Sequence, residues 1–146
     1  MYKKILVPLD GTKLSEAILP HVINLAKSLN SELILLNVPV NSGAEFAFGD
    51  PGVAAAYIQE QEAQFTNYIN DTVNSIKKEN IECTGVIKEG GIAAAIIETA
   101  SERGADLIAM ATHARSGISH LFLGSIAEKI VRSSTIPVLL VRPTDN

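Results

Sequence analysis

Asp10, Gly11 and Thr12 directly follow the apolar run KILVPL, and their types and spacing could serve ligand binding. A carboxylate at this position could accept hydrogen bonds from a pair of ribose hydroxyls or from a metal-bound water. The same residues could instead form a turn and cap a helix, because Asp and Thr side chains accept hydrogen bonds from nearby backbone amides. The sequence leaves both interpretations of Asp10 open.

The stretch ATHARSGISHLFLGS, residues 111–125, is a second candidate region. It ends in Gly124 and Ser125 just before a predicted helix, where unpaired amides and the helix dipole favour an anion. Ser125 can add a hydroxyl, and the guanidinium group of Arg115 could clamp a phosphate. The alternatives are an ordinary helix N-cap at Gly124 and Ser125 and a solvated surface side chain at Arg115.

Several catalytic and phosphate-binding patterns are absent from the sequence. No G-x-G-x-x-G follows a strand and no G-x-x-x-x-G-K-[ST] occurs, which argues against a Rossmann dehydrogenase and a Walker-type NTPase. Cys83 is the single cysteine, so we expect a half-buried thiol and neither a disulfide nor a thiolate zinc site. His21 is expected to pack inward, and no metal-ligand constellation is visible. An acid–base pair among Asp10, Glu45 and Asp50 stays open.

The elements that must position these residues alternate between strands and helices. Short apolar runs rich in branched residues predict four strands buried on both faces: KILVPL, ELILLNV, DLIAMAT and IPVLLV. The stretch IECTGVIKE alternates apolar and polar residues, which predicts an edge strand with Ile81, Cys83, Gly85 and Ile87 on one side. With helices between the strands, the sequence predicts a three-layer α/β sandwich with a parallel sheet.

Apolar residues at three- and four-residue spacing predict the helices, at about 13–30, 53–79, 92–104 and 124–134. Pro20 lies inside the first helix and lacks an amide donor, which predicts a bend or a late start. Ser15 is therefore an alternative N-cap to Thr12. The long connection PVNSGAEFAFGDPGVAA after the second strand is expected to form a mobile flap beside the site.

Length, composition and charge indicate one globular domain over residues 1–146, with 47% hydrophobic and 19% charged residues. The net charge is −4 and the Lys and Arg residues are scattered, so neither a nucleic acid nor a membrane surface is expected as partner. The first apolar run ends at Leu9, too short for a signal-peptide core or a spanning helix. We therefore expect a cytoplasmic protein.

Three stretches together resemble the single-domain universal stress proteins of bacteria and archaea: KKILVPLDGTKLSEAI, GADLIAMATHARSG and LFLGSIAEKIVRSSTIPVLLVR. The resemblance covers essentially the whole chain. It implies an adenine-nucleotide alpha-hydrolase-like fold, with five parallel strands in the order 3-2-1-4-5 and helices on both faces. It also implies a function in the stress response.

The ATP-binding branch of that family carries G-x-x-G, nine residues and then G-[ST]. The same frame here holds Ala111, Ala114 and then Gly124 and Ser125. The resemblance implies that ATP binds with Asp10 at the ribose, the Val38 backbone at the adenine, and Ser125 and Ile126 at the phosphates, with Mg²⁺ accompanying the nucleotide. The implied nucleotide-binding set is Pro8, Asp10, Val38, Ala111, Ala114, Arg115, Gly117, Gly124, Ser125 and Ile126.

Ala111 and Ala114 depart from the signature, because each adds a methyl group where the family brings bare backbone close to the ligand. If either position required a positive φ, alanine would add strain of about 1 kcal/mol or more. These alanines favour a second class of function, a nucleotide-free dimeric interaction protein like the family branch without the glycine signature. Hydrolysis would be slow at most, since no residue is an evident water-activating base.

The last strand, within TIPVLLVRP, is apolar throughout and lies at a sheet edge in the family order. An exposed apolar edge favours pairing with another chain. The family dimerises through this strand, which implies a homodimer through Pro137, Val138, Leu139, Leu140 and Val141.

Overall fold

A five-stranded parallel sheet forms the centre of the protein. A computed structural model describes residues 1–39, 49–112 and 123–143. The strands are β1 (Lys4–Pro8), β2 (Glu32–Asn37), β3 (Cys83–Ile87), β4 (Leu107–Ala111) and β5 (Val138–Val141). They pair in the order β3-β2-β1-β4-β5, so the predicted strand order is confirmed.

The helices connect successive strands, as the sequence periodicity predicts. They are α1 (Lys13–Glu16), α2 (Leu19–Leu29), α3 (Pro51–Lys77), α4 (Ile92–Arg103) and α5 (Ser125–Ser133). Asp50 caps α3 by accepting a hydrogen bond from the amide of Gly52 at 2.8 Å. Residues 40–48 of the long connection before α3, where a flap was expected, lie outside the described residues. In the described ranges, no helix combines the length and the apolar character that crossing a membrane requires.

Pro20 divides the first predicted helix into α1 and α2. Thr12 is the N-cap of α1, and its hydroxyl oxygen accepts a hydrogen bond from the amide of Ser15 at 3.2 Å. Pro20 occupies the first turn of α2, where a missing amide costs no helical hydrogen bond. The predicted interruption is therefore confirmed, and Thr12 rather than Ser15 is the cap.

The inward position predicted for His21 is wrong, because His21 is exposed. This region buries a stripe of residues spaced by four, namely Ile18, Val22 and Ala26. His21 precedes Val22 by one residue, which turns it about 100° away from that stripe. Cys83 also differs from expectation, since it is 2% exposed and so fully rather than half buried.

Alternation along the strands divides the core into two clusters, one on each face of the sheet. The first contains Ile5, Val7, Leu33 and Leu35 and packs against α2 and α3 through residues such as Val22 and Ile69. The second contains Leu6, Ile34, Leu36, Ile108 and Met110 and packs against α4 and α5 through residues such as Ile96 and Ile130. Helices cover both faces, which confirms the predicted three-layer arrangement.

Strand β3 is an edge strand, as its alternating pattern predicts, and α3 packs closely on it at Gly85. A Cβ atom at Gly85 would lie 2.5 Å from Cγ2 of Ile69 and 3.3 Å from Cγ2 of Val73. Ile69 is 1% exposed and fixed in the first cluster, so it has little room to move. The absence of a side chain at Gly85 therefore sets how near α3 approaches the sheet.

Replacing Gly85 by alanine is expected to lower the free energy of unfolding by about 1–3 kcal/mol, because the methyl group would overlap Ile69. Urea denaturation measures this change. Gly91→Ala is the matched control, since a Cβ there has its nearest contact at 4.0 Å from Ala94 and should change stability by about 1 kcal/mol or less. Equal stability of the two variants would contradict this account of the α3–β3 contact.

Candidate functional site

The chain order reverses at β1, which has β2 on one side and β4 on the other. In open parallel sheets such a reversal leaves a crevice beyond the carboxyl ends of the strands, where ligands bind. A cavity of about 400 Å³ lies at this point. Its lining comes from the ends of β1, β2 and β4 and the residues that follow β1 and β2, from α1, and from the first two turns of α4 and the start of α5.

Every residue of the predicted nucleotide-binding set that the structure describes lines this one cavity: Pro8, Asp10, Val38, Ala111, Gly124, Ser125 and Ile126. The remaining members, Ala114, Arg115 and Gly117, lie outside the described residues. Glu45 lies outside them as well, so the acid–base pair considered from the sequence is not tested. Residues separated by more than a hundred positions are thus brought to a single site.

Seven of the fifteen residues that line the cavity are apolar residues that the sequence interpretation did not assign to the site. These are Leu9, Leu36, Ile92, Ile96, Met110, Leu123 and Ala127, and the hydroxyl-bearing Ser15 was missed too. Alternation could have found part of this wall, because Pro8, Leu36 and Met110 project to the same face at neighbouring strand ends. For the helix residues Ile92 and Ile96, the local sequence does not distinguish a residue that lines the cavity from a residue of the hydrophobic core.

Asp10 forms the turn that the sequence allowed and also lines the cavity. Its Oδ1 accepts hydrogen bonds from the Thr12 amide at 2.9 Å and from the Thr12 hydroxyl at 2.6 Å. Gly11 between them has a φ of +87°, which favours glycine at this position. The turn fixes an exposed carboxylate at the cavity, so the two interpretations of Asp10 are compatible.

The β1–α1 loop is also held from α3. The hydroxyl of Tyr68 donates a hydrogen bond to Oε1 of Glu16 at 2.7 Å. Burial, and then the nearby carboxylates of Glu16 and Asp10, raise the pKa of Tyr68 well above its ordinary value of 10.0. The phenol is therefore protonated at neutral pH and remains a hydrogen-bond donor to α1, the helix that carries Ser15 into the cavity.

Helix α5 begins at the cavity, directly after Gly124. Gly124 is the N-cap with φ 88° and ψ 150°, and as a glycine it has no side chain to cap the helix. The first amides of a helix have no partner within the helix, so those of Ser125 and Ile126 are donors at the cavity wall. Ser125 lines the cavity as well and carries a hydroxyl group.

The residues that the structure describes offer little for metal binding or thiol chemistry. No group of three or more His, Cys, Asp and Glu side chains among these residues could hold a metal ion. Burial raises the pKa of Cys83 to about 11, so its thiol is protonated at neutral pH and unsuited to nucleophilic attack. The described site therefore offers backbone amides, hydroxyls, one carboxylate and an apolar wall.

The model of the universal stress protein family matches residues 1–142 of the chain. The chain belongs to this family.

Relatives in bacteria and archaea cover nearly all of this universal stress protein. Universal stress protein YxiE of Bacillus subtilis is 30% identical, over 97% of this chain and 100% of its own length. Universal stress protein MJ0531 of Methanocaldococcus jannaschii is 29% identical, over 97% of this chain and 83% of its own length.

Solved structures share the fold. Protein MJ0577 of Methanocaldococcus jannaschii, the subject of a structure-based assignment of biochemical function, superposes with a TM-score of 0.85 at 25% identity, covering 100% of this chain and 99% of its own. A universal stress protein crystallised in complex with cAMP superposes with a TM-score of 0.71 at 20% identity, covering 97% of each chain.

Ala111, which the predicted ATP-binding signature would have as glycine, has no backbone strain. It lies in β4, where it is paired with Val141, and it is not among the described non-glycine residues with positive φ. Alternation places its methyl group on the face of Leu107 and Ala109, in the first core cluster, whereas Met110 projects to the face with the apolar wall. The methyl group therefore lies on the opposite face of the sheet from Leu36 and Met110.

Proposed function

We propose that this universal stress protein binds ATP in the cavity at the carboxyl edge of its sheet and acts as a stress-response module in the cytoplasm. The observation that carries the proposal is the convergence of the described members of the predicted set on one cavity. The proposal treats residues 1–146 as one domain and includes neither nucleic acid nor membrane as a partner.

The proposed adenine position is the apolar wall. Leu36, Val38 and Met110 line this part of the cavity, and they offer surface for an aromatic base rather than charge. The backbone of Val38 would bond the base edge, and Asp10 would accept hydrogen bonds from the ribose hydroxyls. The cavity volume of about 400 Å³ lies in the range usual for small-molecule sites.

The proposed phosphate position is the first turn of α5. The amides of Ser125 and Ile126 and the Ser125 hydroxyl would donate to phosphate oxygens, supported by the positive end of the helix dipole. Arg115 and Gly117 are included in the proposed nucleotide-binding set on the basis of the sequence alone. Mg²⁺ would arrive with the nucleotide, since the described lining supplies Asp10 as its one carboxylate.

We propose binding rather than rapid turnover. Among the described lining residues Asp10 alone could act as a base, and its Oδ1 is already engaged by the Thr12 amide and hydroxyl. A general base must reach the proton it removes, and this carboxylate is held in a turn. Hydrolysis of ATP would therefore be slow.

The competing proposal is a nucleotide-free interaction protein, and the observation in its favour is alanine at the glycine positions 111 and 114. The described geometry weakens that argument at Ala111, since its methyl group lies on the opposite face of the sheet from Leu36 and Met110 and its φ is not positive. The two proposals differ in whether ATP stabilises the folded protein.

ATP with Mg²⁺ is expected to raise the melting temperature, because a ligand that binds only the folded state stabilises it by about 2.7 kcal/mol at a hundredfold excess over its Kd. Thermal denaturation with ATP, ADP, AMP and cAMP measures the effect. Asp10→Ala and Ser125→Ala should each remove most of the ATP shift. Ser101→Ala, an exposed serine on α4, is the matched control and should retain it. No shift at millimolar ATP would contradict the proposal.

Ala111→Gly distinguishes the two proposals further. If the methyl group lies outside the ligand volume, ATP affinity should change by about twofold or less, while strand stability falls by about 0.5–1 kcal/mol. An affinity gain of about tenfold or more would show that alanine blocks the site and would favour the nucleotide-free function.

We also propose a homodimer through β5. Its residues Val138, Leu139, Leu140 and Val141 are all half-buried, and in the described sheet β5 pairs with β4 on one side only. Leu139 packs on the first core cluster and Leu140 on the second, so apolar surface borders the open edge on both faces. Such an edge favours pairing with a second copy, and Pro137 immediately before it belongs to the proposed interface.

Sedimentation velocity at micromolar concentration is expected to show a dimer. Leu140→Glu should shift the protein to monomer, because it places a charge in the apolar contact. The same substitution at Leu29, an exposed residue on α2, should leave the dimer intact. A monomeric wild-type protein would contradict the proposed interface.

A further inference from the structure

A buried side-chain amide at the carboxyl end of β2 holds the loop between β1 and α1 from outside the cavity. Asn37 is 1% exposed, and its Nδ2 donates a hydrogen bond to the carbonyl oxygen of Leu9 at 2.8 Å. Because a carbonyl only accepts, the amide nitrogen must face Leu9 and the oxygen must face away. That oxygen, Oδ1, is buried and has no hydrogen-bond partner in the part of the chain that the structure describes.

Asn37 acts on the peptide group that precedes Asp10. The carbonyl of this peptide accepts from Asn37, and its N–H, which belongs to Asp10, donates to the hydroxyl of Ser15 at 3.3 Å. The amide of Leu9 in turn donates to the carbonyl of Leu36 at 2.8 Å. The Leu9–Asp10 peptide is thus held at both ends by side chains from β2 and α1, which sets the direction in which Asp10 leaves β1.

The alternation of β2 separates Asn37 from the cavity wall. Leu33 and Leu35 belong to the first core cluster and Leu36 to the second, so Asn37 projects to the face opposite the apolar wall. Consistent with this placement, Asn37 is not among the lining residues. The side chain of Asn37 reaches the site through its contact with the Leu9–Asp10 peptide.

Asparagine at this position has opposing effects on stability. Its amide nitrogen satisfies the carbonyl of Leu9, whereas its own buried oxygen has no partner among the described residues and destabilises the folded state. We infer that Asn37 is a positioning residue, which orients Asp10 for ligand binding. This inference rests on the proposed nucleotide site.

The test is Asn37→Leu, a near-isosteric change that removes both the donor and the unpaired oxygen. We expect ATP binding to weaken about tenfold, as for one lost positioning hydrogen bond, while the denaturation midpoint changes little, because removal of the unpaired oxygen offsets loss of the donor to Leu9. The variant should also lose most of the wild-type preference for ATP over 2′,3′-dideoxy-ATP, because that preference depends on the orientation of Asp10. Calorimetric titration and urea denaturation measure these effects.

Thr99→Val is the matched control. Thr99 is 1% exposed on α4, and its hydroxyl oxygen also has no partner among the described residues. The substitution should raise stability, as removal of an unpaired buried atom does, without changing ATP affinity or the preference for ATP. If Asn37→Leu fails to fold, Asn37→Ala, which adds no bulk, takes the same measurements.

Unchanged affinity and ligand preference in the folded Asn37 variants would overturn the positioning role. A fall in stability with unchanged ligand preference would overturn it too, since Asn37 would then serve the fold alone. The wild-type titration separates this failure from that of the proposed function. No ATP binding by the wild type refutes the site itself, whereas wild-type binding with unaltered variants refutes only the role of Asn37.

Discussion

The reversal of strand order at β1 is the constraint on which the site depends. Because β2 and β4 flank β1 on opposite sides, their following connections leave in different directions and open a crevice between them. The loop after β1 carries Asp10 into this crevice, and the first turn of α5 closes it from the other side. Both segments therefore contribute lining residues to the same cavity.

Much of this site is built from backbone groups rather than reactive side chains. Ser125 and Ile126 present helix amides, and a turn fixed by Thr12 holds Asp10. Backbone donors survive a change from glycine to alanine, provided that the methyl group points away and φ is not positive. Ala111 has no positive φ, and its methyl group lies on the opposite face of the sheet from Leu36 and Met110, so alanine at this position is compatible with an open cavity.

Local sequence patterns predict much of the fold and part of the candidate site. The branched apolar runs indicated the strands, and Pro20 indicated the division between α1 and α2, because both effects act within a few residues. The predicted inward position of His21 was wrong, because the face on which His21 lies depends on the register of α2 after that break. Ile96 and Asn37 gave no signal at all, because their roles arise only when distant segments meet.

The most direct test of the proposed nucleotide site is a crystal structure of the protein grown with ATP and Mg²⁺. The account predicts the base against Leu36 and Met110, the ribose at Asp10, and the phosphates at the amides of Ser125 and Ile126. An empty cavity at saturating nucleotide, or ATP bound at another surface, would contradict it.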